Sequence, residues 1–175
     1  MSQTAYTENP AVAQLGLLGD QGMTDKVSRY SAAVIPYGRL VSLDTTPGKA
    51  KLVAAALDIL DGNSESRPVE GIVIRTDAIE EQAANTLGVA DANVPAYPIG
   101  HNFSVLRKGR IWVWAEEVVT PADQVFVRHT ASGNEKPGNF RQDADTANAA
   151  LLKGARFMST TTAAGFVLVE INLTN

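Results

Sequence analysis

The sequence predicts a mainly β fold: an antiparallel β-sandwich or barrel-like domain with an extended N-terminal arm and one or two short helices. Three observations carry that expectation. Between residues 103 and 173, short apolar runs are closed one after another by Gly, Pro, Asn or Asp turn residues. Two of these runs, 110–117 and 165–173, alternate their side chains with the period of a strand. The first 25 residues are mostly small and polar, and Gly16, Gly19 and Gly22 break any helix there.

The chain divides into an arm, residues 1–25, and one β-rich domain, residues 26–175. In the arm, Leu15, Leu17 and Leu18 need burial, which a neighbouring subunit can supply. Residues 26–44 read as two strands around a turn at Pro36, Tyr37 and Gly38. Pro47-Gly48 suits a type II turn. Residues 49–60 are alanine-rich and fit either a helix or a strand. Residues 61–66 form an exposed polar loop, and 71–75 a strand. Residues 79–87 suit a short helix ending at Gly88. Pro95 and Pro98 mark an extended connector.

In the β-rich half, residues 103–108 and 110–117 read as two strands meeting at Gly109, with Arg107, Lys108 and Arg110 in a small basic turn. Ile111, Val113 and Ala115 share one face, and Trp112 and Trp114 the other. Both faces are apolar, so the strand is central in a sandwich or meets another chain. Val125 and Val127 oppose Phe126 and Arg128, while Phe166 and Leu168 oppose Val167, Val169 and Ile171. Residues 131–149 form a polar loop longer than a hairpin turn, a length that goes with function or mobility.

Composition narrows the function. The net charge is −4, which argues against nucleic acid as a main partner. With no cysteine, disulfides, thiolate metal sites and thiol chemistry are excluded. No apolar run of about 18 residues predicts a membrane span, and no secretory leader is evident, so the expected setting is a cytoplasm or something assembled there.

Catalytic and metal signatures are weak. His101 and His129 are the two histidines, and their surroundings match no zinc or EF-hand spacing. Asp143 and Asp145 resemble the start of a calcium loop that lacks its glycine. Glu116 and Glu117 could serve as acid and base, but alternation points them to opposite faces, and a charged strand end that limits edge pairing is the simpler use. Neither a G-x-S-x-G elbow nor a phosphate-binding glycine loop is present. No catalytic residue, cofactor or metal is therefore expected. The interface candidates are Leu15, Leu17, Leu18, Trp112, Trp114, Arg107 and Arg110.

The runs 35–39 (IPYGR), 104–113 (SVLRKGRIWV), 119–123 (VTPAD), 125–128 (VFVR), 140–143 (FRQD), 154–157 (GARF) and 167–173 (VLVEINL) resemble the structural cement, or capsid decoration, proteins of tailed bacteriophages. The resemblance covers the chain from about residue 10 and is strongest over 99–173; residues 49–69 and 79–93 do not match clearly. It implies a non-enzymatic protein on the outer surface of the virion head. Such a protein bridges major capsid proteins and assembles with itself, as a trimer or alternatively a dimer. Two alternatives remain open. One is another virion component, for head completion or the tail. The other is a carbohydrate-binding or hydrolytic virion protein using Trp112, Trp114, Glu116 and Glu117.

Overall fold

A computed structural model of the chain describes residues 13–20, 22–59, 69–75, 82–83 and 94–173. The loop expected at 61–66 lies outside those residues. The fold is mainly β, as the alternating runs predict. Its first unit is a closed five-stranded barrel of β1 (Asp25–Ser31), β3 (Leu40–Leu43), β4 (Lys49–Leu52), β5 (Val69–Val73) and β8 (Asn102–Ala115). The order β1-β4-β3-β5-β8 closes because β1 also pairs antiparallel with β8. A small sheet of β2 (Ile35–Pro36), β6 (Gln82–Ala83) and β7 (Pro95–Tyr97) lies beside it.

The second unit grows from the far half of β8. β13 (Gly165–Asn172) pairs antiparallel with it from Gly165 opposite Ala115 to Asn172 opposite Lys108. β12 (Ala155–Phe157) flanks β13. At the Ala115 end, β10 (Phe140–Arg141) runs parallel to β8, followed by β9 (Phe126–Arg128) and β11 (Ala149–Leu151).

Two cores result. One takes residues from every barrel strand and fills the barrel: Val27, Val41, Ala50, Leu52, Val73, Phe103 and Val105, with Ile35, Tyr37 and Tyr97. The other joins Leu40, Ile72 and Leu106 to the second unit's Ile111, Val113, Ala115, Val127, Phe140, Phe157, Val167, Val169 and Ile171. The alternation read from 110–117 and 165–173 matches this second core residue by residue.

The turn expected at Gly109 is corrected by the structure: β8 runs straight through it. The feature there is a bulge, not a hairpin. Asp25 pairs with Lys108 and the next residue, Lys26, with Leu106, so Arg107 has no partner of its own in that register. Gly109 adopts φ +133, where a side chain is strained. The extra residue reverses the parity of the strand. Before it, Phe103 and Val105 point into the barrel; after it, Ile111, Val113 and Ala115 point into the other core.

Other local expectations resolve as follows. The ambiguous stretch 49–60 splits into β4 and a single 3₁₀ turn, Ala56–Asp58, whose Asp58 carboxylate accepts the Ala54 and Ala55 N–H groups at 2.8 and 3.1 Å. Thr46 and Lys49 close the type II turn at 3.1 Å, with Gly48 at φ +78. The helix expected over 79–87 is replaced at Gln82–Ala83 by strand pairing with β7; the rest of that stretch lies outside the described residues.

Gly71 gives a test. At φ +145 it sits where a β-carbon would overlap the Leu106 carbonyl oxygen, which is main chain and cannot move aside. Gly71→Ala is expected to lower stability by more than about 2 kcal/mol. Gly48→Ala, at a similarly positive φ but with open space around it, is expected to cost about 1 kcal/mol. Thermal melts of the two variants check the ordering.

Candidate functional site

Parity after the bulge turns the other half of the residues outward. On that face β8 and β13 form a ladder of opposed side chains: Trp114 with Phe166, Trp112 with Leu168, and Arg110 with Glu170. The Trp114 and Phe166 rings meet edge to face at 5.5 Å. Phe166 remains 42% exposed. The ladder ends in a charged cluster, where Arg110 binds Glu170 at 2.8 Å and Asp20 at 3.1 Å, and Arg156 binds Glu170 at 2.6 Å. The basic residue that looked available in the sequence is thus occupied within its own chain.

The arm residues come to the same strand. Gly16 donates to the Trp112 carbonyl at 2.9 Å, Trp112 donates to Leu17 at 2.9 Å, and Gly19 donates to Arg110 at 2.8 Å. Leu15 packs on the barrel core and Leu18 on the other, while Leu17 stays 41% exposed. Six of the seven interface candidates therefore cluster along one half of β8. Arg107 lies in the bulge, half-buried, with its carbonyl accepting the Leu173 N–H at 2.9 Å.

Beside the ladder lies an open groove of about 500 Å³. Trp114, Phe166 and Leu15 supply apolar walls; Arg39, Lys136 and Asn139 border them. Asn139 is 4% exposed, and its side-chain oxygen has no hydrogen-bond partner among the described residues.

Sequence reasoning missed the centre of the second unit, a buried ion network. Arg128 is fully buried at the end of β9. Its Nε donates to both Glu116 oxygens at 3.0 and 2.8 Å, and its Nη1 to the Thr130 carbonyl at 3.2 Å. Its Nη2 donates to Asp145 at 2.8 Å and to Glu135. Arg141 adds contacts to Glu116 at 3.3 Å, Glu117 at 3.4 Å and Asp143 at 2.7 Å. Five carboxylates face two guanidiniums. Together they tie the polar loop 131–148 to β8, β9 and β10.

Glu116 and Glu117 were expected on opposite faces, as a charged strand end. The structure corrects this: both reach Arg141, because β8 ends at Ala115 and alternation stops there. Burial pushes the Glu116 carboxyl above its usual value, while Arg128 pulls it back. Asp143 and Asp145 are held below the usual carboxylate range. For Asp143 the main cause is the Asp145 N–H it accepts; for Asp145 it is the hydrogen bond from Arg128. The calcium-like spacing thus serves arginines. Asp145, Thr146 and Ala147 all have positive φ, a strained left-handed turn held by those contacts.

The histidines stay apart in role. His101 is exposed; His129 is buried, which lowers its pKa, and the Arg128 charge lowers it further. Among the described residues, no three His, Cys, Asp or Glu side chains are grouped to hold a metal ion.

Arg128→Met leaves Glu116 buried with one guanidinium fewer, so a loss of about 3–5 kcal/mol is expected. Pairing it with Glu116→Leu is expected to recover part of that loss, measured as a coupling energy in a double-mutant cycle. Unchanged melting of Arg128→Met would contradict the role assigned to the network. Acid gives a second check. Asp143 and Asp145 have folded pKa values below their unfolded value of about 3.8. Their contribution is therefore full above that value and lost as pH falls through the folded values. Melting temperature followed below pH 4 is expected to fall less steeply in Asp145→Asn than in the parent.

Comparison with known proteins follows the same lines. The family profile described as structural cement protein (E217 gp24/Pam3 gp6) matches residues 1–174. A chain in the structure titled the capsid of Myoviridae phage XM1 superposes with a TM-score of 0.68 at 17% identity, covering 98% of this chain and 97% of that one. The head fibre gp8.5 N base of bacteriophage phi29 gives a TM-score of 0.44 at 12% identity, covering 87% and 98%. No curated protein sequence matches. With its profile met over nearly every residue, the chain belongs to the structural cement protein family.

Proposed function

We infer that this capsid cement protein works from the outer surface of the head, bridges neighbouring major capsid proteins and performs no reaction. The observation that carries the inference is the outward ladder of Trp112, Trp114, Phe166 and Leu168 on a body whose two cores are already filled. An aromatic face left half-exposed on a rigid body suits repeated contact with other chains. The arm adds to it, since Leu17 is presented, exposed, beside β8. Self-assembly as a trimer is the first expectation and a dimer the second.

Two observations weigh against the glycan alternative. Trp114 is half-buried and packed edge to face with Phe166, and Glu116 is engaged by two guanidiniums, which takes it out of use as a general acid.

The test uses heads lacking this protein, to which purified protein is added and imaged. Hundreds of copies on the outside are expected, whereas six or twelve would indicate a connector. Phe166→Asp and Leu17→Asp are expected to cut occupancy by about tenfold or more while the melting temperature holds, since both side chains are exposed. Full occupancy by both variants would overturn the assignment of this face. Light scattering of the free protein decides between trimer and dimer.

A further inference from the structure

We propose that Met23 of one copy docks in the groove beside Trp114 of a second copy, so that copies of this chain join head to tail; this rests on the self-assembly reading above. The knob comes from a surplus of chain. Leu18 lies opposite Ile111, and Asp25 lies opposite Lys108. Between those two pairs the chain advances seven residues while β8 covers three, which leaves four more than the pairing needs. Without them the arm would run straight on into β1. The surplus carries Met23, 86% exposed and the most exposed large apolar side chain among the described residues. A methionine lifted into water on such an excursion suits contact with another chain, where methionine and aromatic residues are enriched.

The socket is apolar and aromatic. Leu15, Pro95, Trp114 and Phe166 line the groove of about 500 Å³, and Phe166 stays 42% exposed at its wall. An unbranched thioether packs well against aromatic rings, above all at their edges. The walls are also stiff: Arg39 braces the bordering loop by donating to the Lys136 and Pro137 carbonyls at 3.1 and 3.2 Å. A preformed groove loses little entropy on filling. The placement of knob and socket selects a second copy as the partner. Met23 borders Lys108, Gly109 and Arg110, whereas the groove borders Trp114. From Lys108 to Trp114 a strand rises about 20 Å, at about 3.3 Å per residue, so Met23 cannot reach the groove of its own chain. Every copy nevertheless carries both halves of the contact. A contact between two different patches closes into a ring when the rotation it imposes divides a full turn, and a ring of three is the assembly expected first.

The experiment uses the full chain. Met23→Ser changes an exposed side chain, so its melting temperature is expected to hold while self-association weakens by at least about tenfold, read by sedimentation across concentration. Removing residues 21–24 joins Asp20 to Asp25 and keeps Asp25 opposite Lys108 in the register set by Leu18. This variant is expected to melt at or above the parent and to show the same loss of association. Cross-linking gives the direction of the contact. The chain has no cysteine, so Met23→Cys and Asn134→Cys, the latter exposed at the groove, each carry a single thiol. With a short bis-maleimide, a mixture of the two is expected to form covalent pairs at least about fivefold more than either alone. Unchanged association of Met23→Ser overturns the proposal and leaves self-assembly standing. So do pairs formed as readily by Met23→Cys alone, which assign a two-fold contact, and a lowered melt of the shortened chain, which makes those residues part of the fold. Cross-linking of Met23→Cys to coat protein on decorated heads, with no pair between copies, assigns the knob to the shell and also overturns it. A chain that stays monomeric at every concentration and on heads overturns the self-assembly reading as well.

Discussion

β8 serves two cores that lie on opposite sides of it, and in both of its halves the apolar residues recur at odd positions, which a regular strand would hold on one face. In β8 the side chains that enter the barrel, Phe103 and Val105, and those that enter the second core, Ile111, Val113 and Ala115, all sit at odd positions. Without a change of parity they would share one face. The bulge at Arg107 and Lys108, eased by Gly109, supplies that change. Everything downstream follows from it. β13 is placed against the far half of β8, and the residues left outside, Trp112 and Trp114, become the exposed ladder. The same residues paired in a regular register, with no bulge, would put the tryptophans into the core and the valines in water.

The second constraint is electrostatic. Arg128 lies at the end of a short strand with its guanidinium out of water, a placement that is tolerable only with its donors satisfied. Glu116, Glu135, Asp145 and the Thr130 carbonyl satisfy them. The four groups come from the end of β8 and from the segments that follow β9 and β10. A buried ion pair of this kind adds little net stability over an apolar pair, but it specifies one arrangement, because any other leaves a charge unpaired. It explains why a long polar loop with three left-handed residues keeps a defined shape.

A cement protein meets its neighbours through surfaces, so the useful property of such a fold is stiffness. A closed barrel removes sheet edges, and the shared strand makes the two units one body. The half-exposed aromatic ladder, the arm along β8 and the groove beside Trp114 all border that strand. They form one continuous face, rather than patches scattered over the molecule.

Much of this was legible in the residues. The mainly β class, the type II turn at Gly48, the faces of 110–117 and 165–173, and the family resemblance all rest on local pattern. Local pattern is what period-two alternation and turn chemistry report. What stayed hidden depends on partners distant in sequence. Gly109 looks the same in a hairpin as in a bulge until the register with β1 is known. Arg128 and Glu116 are twelve residues apart and look like ordinary surface charges until β9 and β10 fold beside the end of β8. Arg110 looked available until Glu170, sixty residues on, came opposite it. The sequence by itself determined which side chains could share a face, because that needs only the geometry of one strand. The tertiary structure decided which face is buried and which charge is neutralised, because both depend on which strand lies alongside.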